Sequence, residues 1–444
     1  MKKIAVVALV LIIILAFLFW KFGPNIQAPM TPQQITLTFW DPGQNEEVAK
    51  KVVAEYQKTH PNVTINYVHQ SFINYRTRVQ TQIRAGTGPD IFLIHNSWIP
   101  MFTTDLIPAP SSVFGFADYQ TNFYPVLSDS FVKSNERSSS MNKILAVSNV
   151  VDGLALYINT DILSGVGLQP PKNWQEFMED AVKMTVVDQN GTVKTAGAAL
   201  GTTENIDYWS DILGLLLLQQ PGVNLTTMPL NINNAATTEV LRFYTGFATD
   251  PKRKTWDASM PVSTQAFAQG RLAFYFGPAA RATEIQTINP NLKFKIVPVP
   301  QLSGSNFSWA TFWGYGVSAS SKNPTQAWDF IKYVSSKEGE QFIFTSATQA
   351  KAPTQVYSRP ELTQGLLNDQ ILGTFALQAP NYKFWYLSGN TFDNGLNDEM
   401  INVWQSGIDL ILKGNDPAVI LPTIQQGSQQ ILDKYIKGQV APTK

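Results

Sequence analysis

Tryptophan and its neighbours set the chemistry of this chain. It carries 11 tryptophans and a 12% aromatic share, against only 15% charged residues, which is more ring surface than core filling requires. Trp309, Phe312, Trp313 and Tyr315 crowd into one short stretch, a set difficult to bury together. Flat aromatic faces beside fixed hydrogen-bond donors and acceptors suit a ring with nonpolar faces and a hydroxyl edge, as in a saccharide. Trp40, Trp98, Tyr208, Trp209, Trp309, Trp313, Tyr315 and Trp385 are the candidate platforms, each also readable as core packing. Other chemistries lack their residues. There is no cysteine, hence no thiolate, no disulfide and no acceptor for lipidation. His60, His69 and His95 share no metal-ligand spacing. The phosphate-binding Gly-x-x-x-x-Gly-Lys loop, the Gly-x-Ser-x-Gly elbow, His-Glu-x-x-His and the dinucleotide glycine fingerprint are missing, so no cofactor is implied. Lysine plus arginine and aspartate plus glutamate both number 33, and such a balance offers no field for nucleic acid.

The elements that must position these rings are legible from periodicity. Ile35, Leu37 and Phe39 alternate with threonines as a half-buried strand, broken by Trp40-Asp41-Pro42-Gly43. Asn45 then caps a helix with Glu46 and Glu47 in its first turn and a Val48, Val52, Tyr56 stripe, and Val63, Ile65 and Tyr67 form the next strand. This strand-helix-strand unit predicts an α/β fold with parallel strands. The apolar run after Asp90 is a buried strand whose carboxyl end delivers His95, Asn96 and Trp98, where α/β sheets bind ligands. Further on, Asn173 with Glu176 opens a helix, Arg271 to Phe276 and Phe294 to Val299 are strands, and helices start at Pro324, Asn397 and Pro417. At 444 residues the chain exceeds what one core usually supports, which favours two lobes and a cleft.

The N-terminus sets the compartment. Lys2 and Lys3 precede an apolar run from Ile4 to Trp20, about 26 Å as a helix against a hydrocarbon layer of about 30 Å. Bulky Phe17 to Trp20 at its end disfavour a cleavage site, so residues 1–24 are expected to be an uncleaved transmembrane signal-anchor and residues 25–34 a tether. The lysines stay in the cytoplasm, leaving the rest extracytoplasmic; a cleaved signal peptide would export the domain equally.

Five segments carry a family resemblance. ITLTFWDPGQNEEVAKKVVAEYQKTHPNVTINY, AGTGPDIFLIHNSWIPMF, LALYINTDILSGVGLQPPKNWQEF, AFAQGRLAFYFGPAAR and GYGVSASSKNPTQAWDFIKYVSSKEGEQ occur in the order of the family 1 extracellular solute-binding proteins, which include maltose-binding protein. The third, with Tyr-Ile-Asn-Thr-Asp followed by Pro-Pro-x-x-Trp-x-Glu-Phe, is the most specific. The resemblance implies a two-lobed periplasmic-binding-protein-like (Venus flytrap) fold with discontinuous lobes, and three crossings near Ser148–Val150, Val297–Gln301 and Ser335–Gln341. Lobe one would comprise residues 35–148 plus 300–337, and lobe two residues 150–298 plus 338–444. The implied role is a non-enzymatic, monomeric receptor of an ABC importer, handing a sugar or oligosaccharide to membrane permease subunits.

From ring chemistry and position, and for Asp152 from the resemblance, the cleft would be lined by Trp40, Gln44 or Asn45, Asn96, Trp98, Asp152, Trp209, Arg281, Trp313 and Tyr315. Asp152 precedes Gly153 and is also readable as a plain Asp-Gly turn. Where maltose-binding relatives place aromatics after Gly-Pro, this chain has Ala279-Ala280-Arg281. Arg281 therefore suits a hydroxyl, carboxylate or phosphate, or else a surface ion pair on its own helix. An anchored glycan hydrolase or lyase, and a glycan-adhesion module, are the competing classes, since two catalytic carboxylates need be close only in space.

Overall fold

Alternation along Ile35–Asp41 (β1) does more than make a strand: it turns Leu37, Phe39 and Asp41 to the buried side, so the strand ends with a carboxyl in the core face. The computed structural model describes residues 2–22, 33–134 and 142–436, with side chains from Val7 to Lys21 in the first stretch. The chain separates into two compact units, Met1–Ile35 and Thr36–Lys444. In the first, Lys2–Phe22 is helical and its described side chains are all exposed. Among the described residues no helix is long and apolar enough to cross a membrane. Residues 1, 23 and 24 of the expected anchor and 25–32 of the expected tether lie outside the described residues.

The second unit is an α/β structure built on two five-stranded sheets. After β1 come Val63–His69 (β2) and Ile91–His95 (β3), then the small pair Val132–Lys133 (β4) and Lys143–Ile144 (β5). Ala146–Val147 (β6), Val150–Val151 (β7) and Ala155–Asn159 (β8) follow closely. Val186–Val187 (β9), Val193–Ala198 (β10), Leu272–Gly277 (β11) and Phe294–Val297 (β12) come next. The set closes with Ser308–Trp309 (β13), Trp313–Val317 (β14), Val356–Tyr357 (β15) and Tyr382–Lys383 (β16). The first sheet runs β2-β1-β3-β14-β6, with β1 and β3 parallel and β14 antiparallel to β3 through Trp313 opposite His95 and Tyr315 opposite Leu93. The second runs β12-β8-β11-β10-β9, with β10 and β11 parallel and β8 antiparallel to both its neighbours.

Local signals behave as their chemistry dictates. The Asn45 side chain accepts from the Glu47 and Val48 amides at 3.1 and 3.2 Å to start helix Glu46–Thr59. Asn173 and Glu176 form a reciprocal cap: Asn173 Oδ1 accepts from the Glu176 amide at 2.8 Å, and Glu176 Oε2 accepts from the Lys172 amide at 2.8 Å. Helices Pro324–Val334, Leu396–Leu412 and Pro417–Tyr435 fall where the periodicity puts them.

The chain passes between the sheets in short extended pieces. Between β6 and β8, β7 pairs antiparallel with β15, Val151 opposite Val356. Between β12 and β14, β13 pairs with β16 and Ala310 bridges to Gly153. Gly153 is required there, because a Cβ would stand 1.9 Å from the Trp309 carbonyl oxygen. The stretch Ser335–Gln341, expected as a crossing, instead spans the end of one helix and the start of the next. That next helix, Lys337–Gln349, packs on Glu46–Thr59 and Pro324–Val334, beside the first sheet.

Candidate functional site

Several pieces of chain, far apart in sequence, meet around a cavity of about 310 Å³. From the carboxyl end of β1 come Asp41, Gly43, Gln44 and Asn45; from β14 come Trp313 and Tyr315, which strand alternation puts on one face. Helix Lys337–Gln349 contributes Glu340, Ile343, Phe344 and Ala347, one face at helical spacing. Asn149, Val150, Gln355 and Tyr357 enter from the β7–β15 pair, and Ala280, just after β11 of the second sheet, closes the far side. No lysine, arginine or histidine is among the lining residues.

The aromatic part is braced. The Trp313 indole meets Trp98 at 4.9 Å between ring centroids and 77° between planes, His95 at 5.2 Å and Phe72 at 5.6 Å, all edge-on. Phe72, Phe344 and Tyr357 complete the wall. Such edge-to-face packing fixes a ring while leaving a face for a ligand.

Two carboxyls supply the polar part. Asp41 Oδ1 accepts from the amides of Gly43 at 2.7 Å and Gln44 at 2.9 Å, while its Oδ2 is buried with no hydrogen-bond partner in the chain. Burial outweighs those bonds and pushes its pKa up to about 6. Glu340, 1% exposed, accepts from the Ser358 hydroxyl through Oε1 at 2.5 Å and leaves Oε2 without a partner. Burial pushes the Glu340 carboxyl well above the usual range. Tyr315 feels both acids, and burial with their charge raises its phenol.

Of the residues singled out by sequence, Asn45, Trp313 and Tyr315 line the cavity, as does Gln44. The others are elsewhere. Trp98 is fully buried and stacked on Phe102 at 5.9 Å and 5°, a core residue rather than an open platform. Asn96 is buried too, its Oδ1 accepting from the Phe312 amide at 3.2 Å. His95 beside it is held neutral, its pKa pushed down by burial to about 3. Trp209, expected in a loop, starts helix Trp209–Gln219 and is buried in it. Trp309, Phe312 and Trp385 are buried as well; Trp309 lies against Gly214 and donates to Asp211 Oδ1 at 2.7 Å. Trp40 is half-buried, on the strand face opposite Asp41. Arg281 donates to the Tyr208 hydroxyl at 2.8 Å and pairs with Glu284 one turn along its own helix, the ion-pair reading of this residue.

Asp152 sits behind the cavity rather than on its wall. Its Oδ1 accepts from the amides of Gly153 at 2.8 Å and Ala279 at 3.2 Å, and its Oδ2 accepts from Gln355 Nε2 at 3.0 Å. One carboxyl thus ties two crossing segments to the end of β11, and burial raises its pKa to about 6. Sequence reasoning missed Asp41, Glu340, Phe344, Gln355 and Tyr357. For the acids a signal existed: Asp41 continues the inward alternation of β1, and Glu340 falls within the Ile343, Ala347 stripe of its helix. Among the described residues no group of three or more metal-ligating side chains could hold a metal ion.

With two sheets, short crossings and a cavity where they meet, the architecture is that of a two-lobed solute-binding protein, and the chain belongs to the bacterial extracellular solute-binding protein family, matching it over residues 42–341. It is 22% identical over 349 residues to a putative binding protein of Brucella abortus, covering 76% of this chain and 79% of that one. It is 22% identical over 334 residues to the melibiose/raffinose/stachyose-binding protein MelE of Bacillus subtilis, covering 72% of this chain and 71% of the other. In fold it resembles the GacH receptor of Streptomyces glaucescens, solved unliganded and with acarbose, at a TM-score of 0.68 and 19% identity over 90% of this chain and 99% of that one. The family is one of binding proteins rather than enzymes, and its members are extracellular.

Proposed function

We propose that this protein is the receptor of an ABC importer and captures a sugar or oligosaccharide in the cavity between its sheets. The observation that carries the reading is the joint lining: Trp313, Phe72 and Phe344 offer nonpolar faces beside Asp41, Gln44, Asn149, Glu340 and Gln355. That combination matches a saccharide's nonpolar faces and hydroxyl edge. The melibiose/raffinose/stachyose-binding relative and the acarbose-binding neighbour support the same ligand class. A volume of about 310 Å³ stands at the lower end of the roughly 300–1,000 Å³ usual for small-molecule sites.

Closure of two lobes around the ligand would signal occupancy to permease subunits, driven by the ligand's higher affinity for the closed state. We place lobe one on the first sheet with the helices through Gln349, lobe two on the second sheet with the C-terminal helices, and the crossings near Ser148–Val150, Ala310–Phe312 and Pro353–Tyr357. The run Ile4–Trp20 behind Lys2 and Lys3 favours tethering to the outer face of the cell membrane by an uncleaved helix, and we take the receptor to act as a monomer. Titration calorimetry over mono- and oligosaccharides should find saturable one-to-one binding without turnover; absence of binding by every saccharide overturns the reading. N-terminal sequencing of the cell-associated protein tests the tether, with cleavage after residue 20 refuting it.

A further inference from the structure

Glu340 and Asp41 stand out because both line one cavity with no lysine, arginine or histidine in its wall, and each keeps a buried carboxyl oxygen without a hydrogen-bond partner in the chain. The groups facing them are nearly all phenols: Tyr67, Tyr75 and Tyr315 around Asp41, and Tyr124, Tyr315 and Tyr357 around Glu340. The basic side chains that act on them, His69 and Arg359, are outside the lining. His69 acts weakly on Asp41. Arg359, near Glu340, is committed to the Ser335 carbonyl at 2.8 Å, to Glu361 at 3.3 Å and to the Phe123 ring.

A cavity of this kind favours protons on its acids, Glu340 above all, because buried charge without a countercharge is costly. A neutral sugar donates hydroxyl hydrogens but brings no charge, so the acids stay protonated or are ionised at a penalty. A protonated amine brings three N–H donors and the missing positive charge together, and charge-assisted bonds of that type are about twice as strong as neutral ones. Resting on the sugar-receptor reading above, we propose that the ligand is a saccharide with a free amino group, its ammonium received by the Glu340 and Asp41 carboxyls while its ring lies along Trp313. Binding then ionises Glu340, and its carboxyl proton leaves to solvent.

The test is titration calorimetry at pH 7 with matched series: glucosamine, galactosamine, mannosamine and the β-1,4 glucosamine dimer, each against its N-acetyl and its neutral hydroxyl counterpart. The free amine should bind at least tenfold tighter than both counterparts. Its apparent enthalpy should change with the ionisation enthalpy of the buffer, reporting proton release. Glu340→Gln, and independently Asp41→Asn, each checked for a native melt, should bring the affinity ratio of the amine to its neutral counterpart close to one, whatever either change does to binding of the neutral sugar; an unchanged ratio in both overturns the inference. Neutral or N-acetyl sugars binding as tightly as the amine, without buffer dependence, overturn this inference and leave the sugar-receptor reading intact. Failure of all three forms overturns this inference, and the sugar-receptor reading falls with it only if every saccharide of the wider screen fails as well.

Discussion

Replacing Trp313 with alanine removes the one cavity-lining ring that is held edge-on by Trp98, His95 and Phe72 at centroid distances of 4.9, 5.2 and 5.6 Å. Because those neighbours fix its orientation, little conformational entropy is left to lose on binding, and most of the stacking energy appears as affinity. Truncating a well-packed aromatic anchor costs about 1–3 kcal/mol of binding, on the order of 5- to 150-fold in Kd. The void left beside Trp98 will also lower stability, so the comparison belongs well below the melting temperature, with near-ultraviolet dichroism confirming the native fold. Trp313→Phe keeps a nonpolar face and should lose distinctly less affinity than Trp313→Ala. The assay is calorimetry with the tightest saccharide found for the wild type. A folded Trp313→Ala protein binding within twofold of wild type would refute the assignment of this wall.

Two further perturbations address the frame rather than the wall. Asp41, Asp152 and Asp211 are buried with pKa values raised by burial from 3.8 to about 6, about 6 and about 7, so their favourable neutral forms stabilise the fold fully below about pH 4. That contribution is lost as pH rises through 6 to 7, on the order of 3 kcal/mol for each group. Asp152→Asn, whose amide can satisfy the same partners once Gln355 flips, should flatten the decline in urea-unfolding free energy between pH 4.5 and 7.5; an unchanged slope contradicts the burial argument. Gly153→Ala drives a Cβ to 1.9 Å from the Trp309 carbonyl oxygen and should cost 2 kcal/mol or more, on the order of an overpacked core site or worse. A thermal melt within a degree of wild type would mean that this crossing yields freely.

The strand-helix-strand opening, the Asn45 and Asn173 caps and the last two long helices were readable because each rests on neighbours within a turn or a strand. Which aromatic rings face the cavity was not. Trp98, Trp209 and Trp309 have the same residue type as Trp313, and only the packing of segments far apart in sequence buries the first three while leaving a face of the fourth on the cavity. The same holds for the third crossing: helix Lys337–Gln349 has an ordinary amphipathic pattern, and its choice to pack on Glu46–Thr59 is made by the surface it meets.

Sequence by itself determined the α/β class and the order of elements, since hydrophobic period and capping chemistry are local properties. Tertiary structure alone decided that Asp41 and Glu340, 299 positions apart, share one cavity without a countercharge. A carboxyl's ionisation depends on the water and charges around it, and those are supplied by chain segments that no local pattern can bring together.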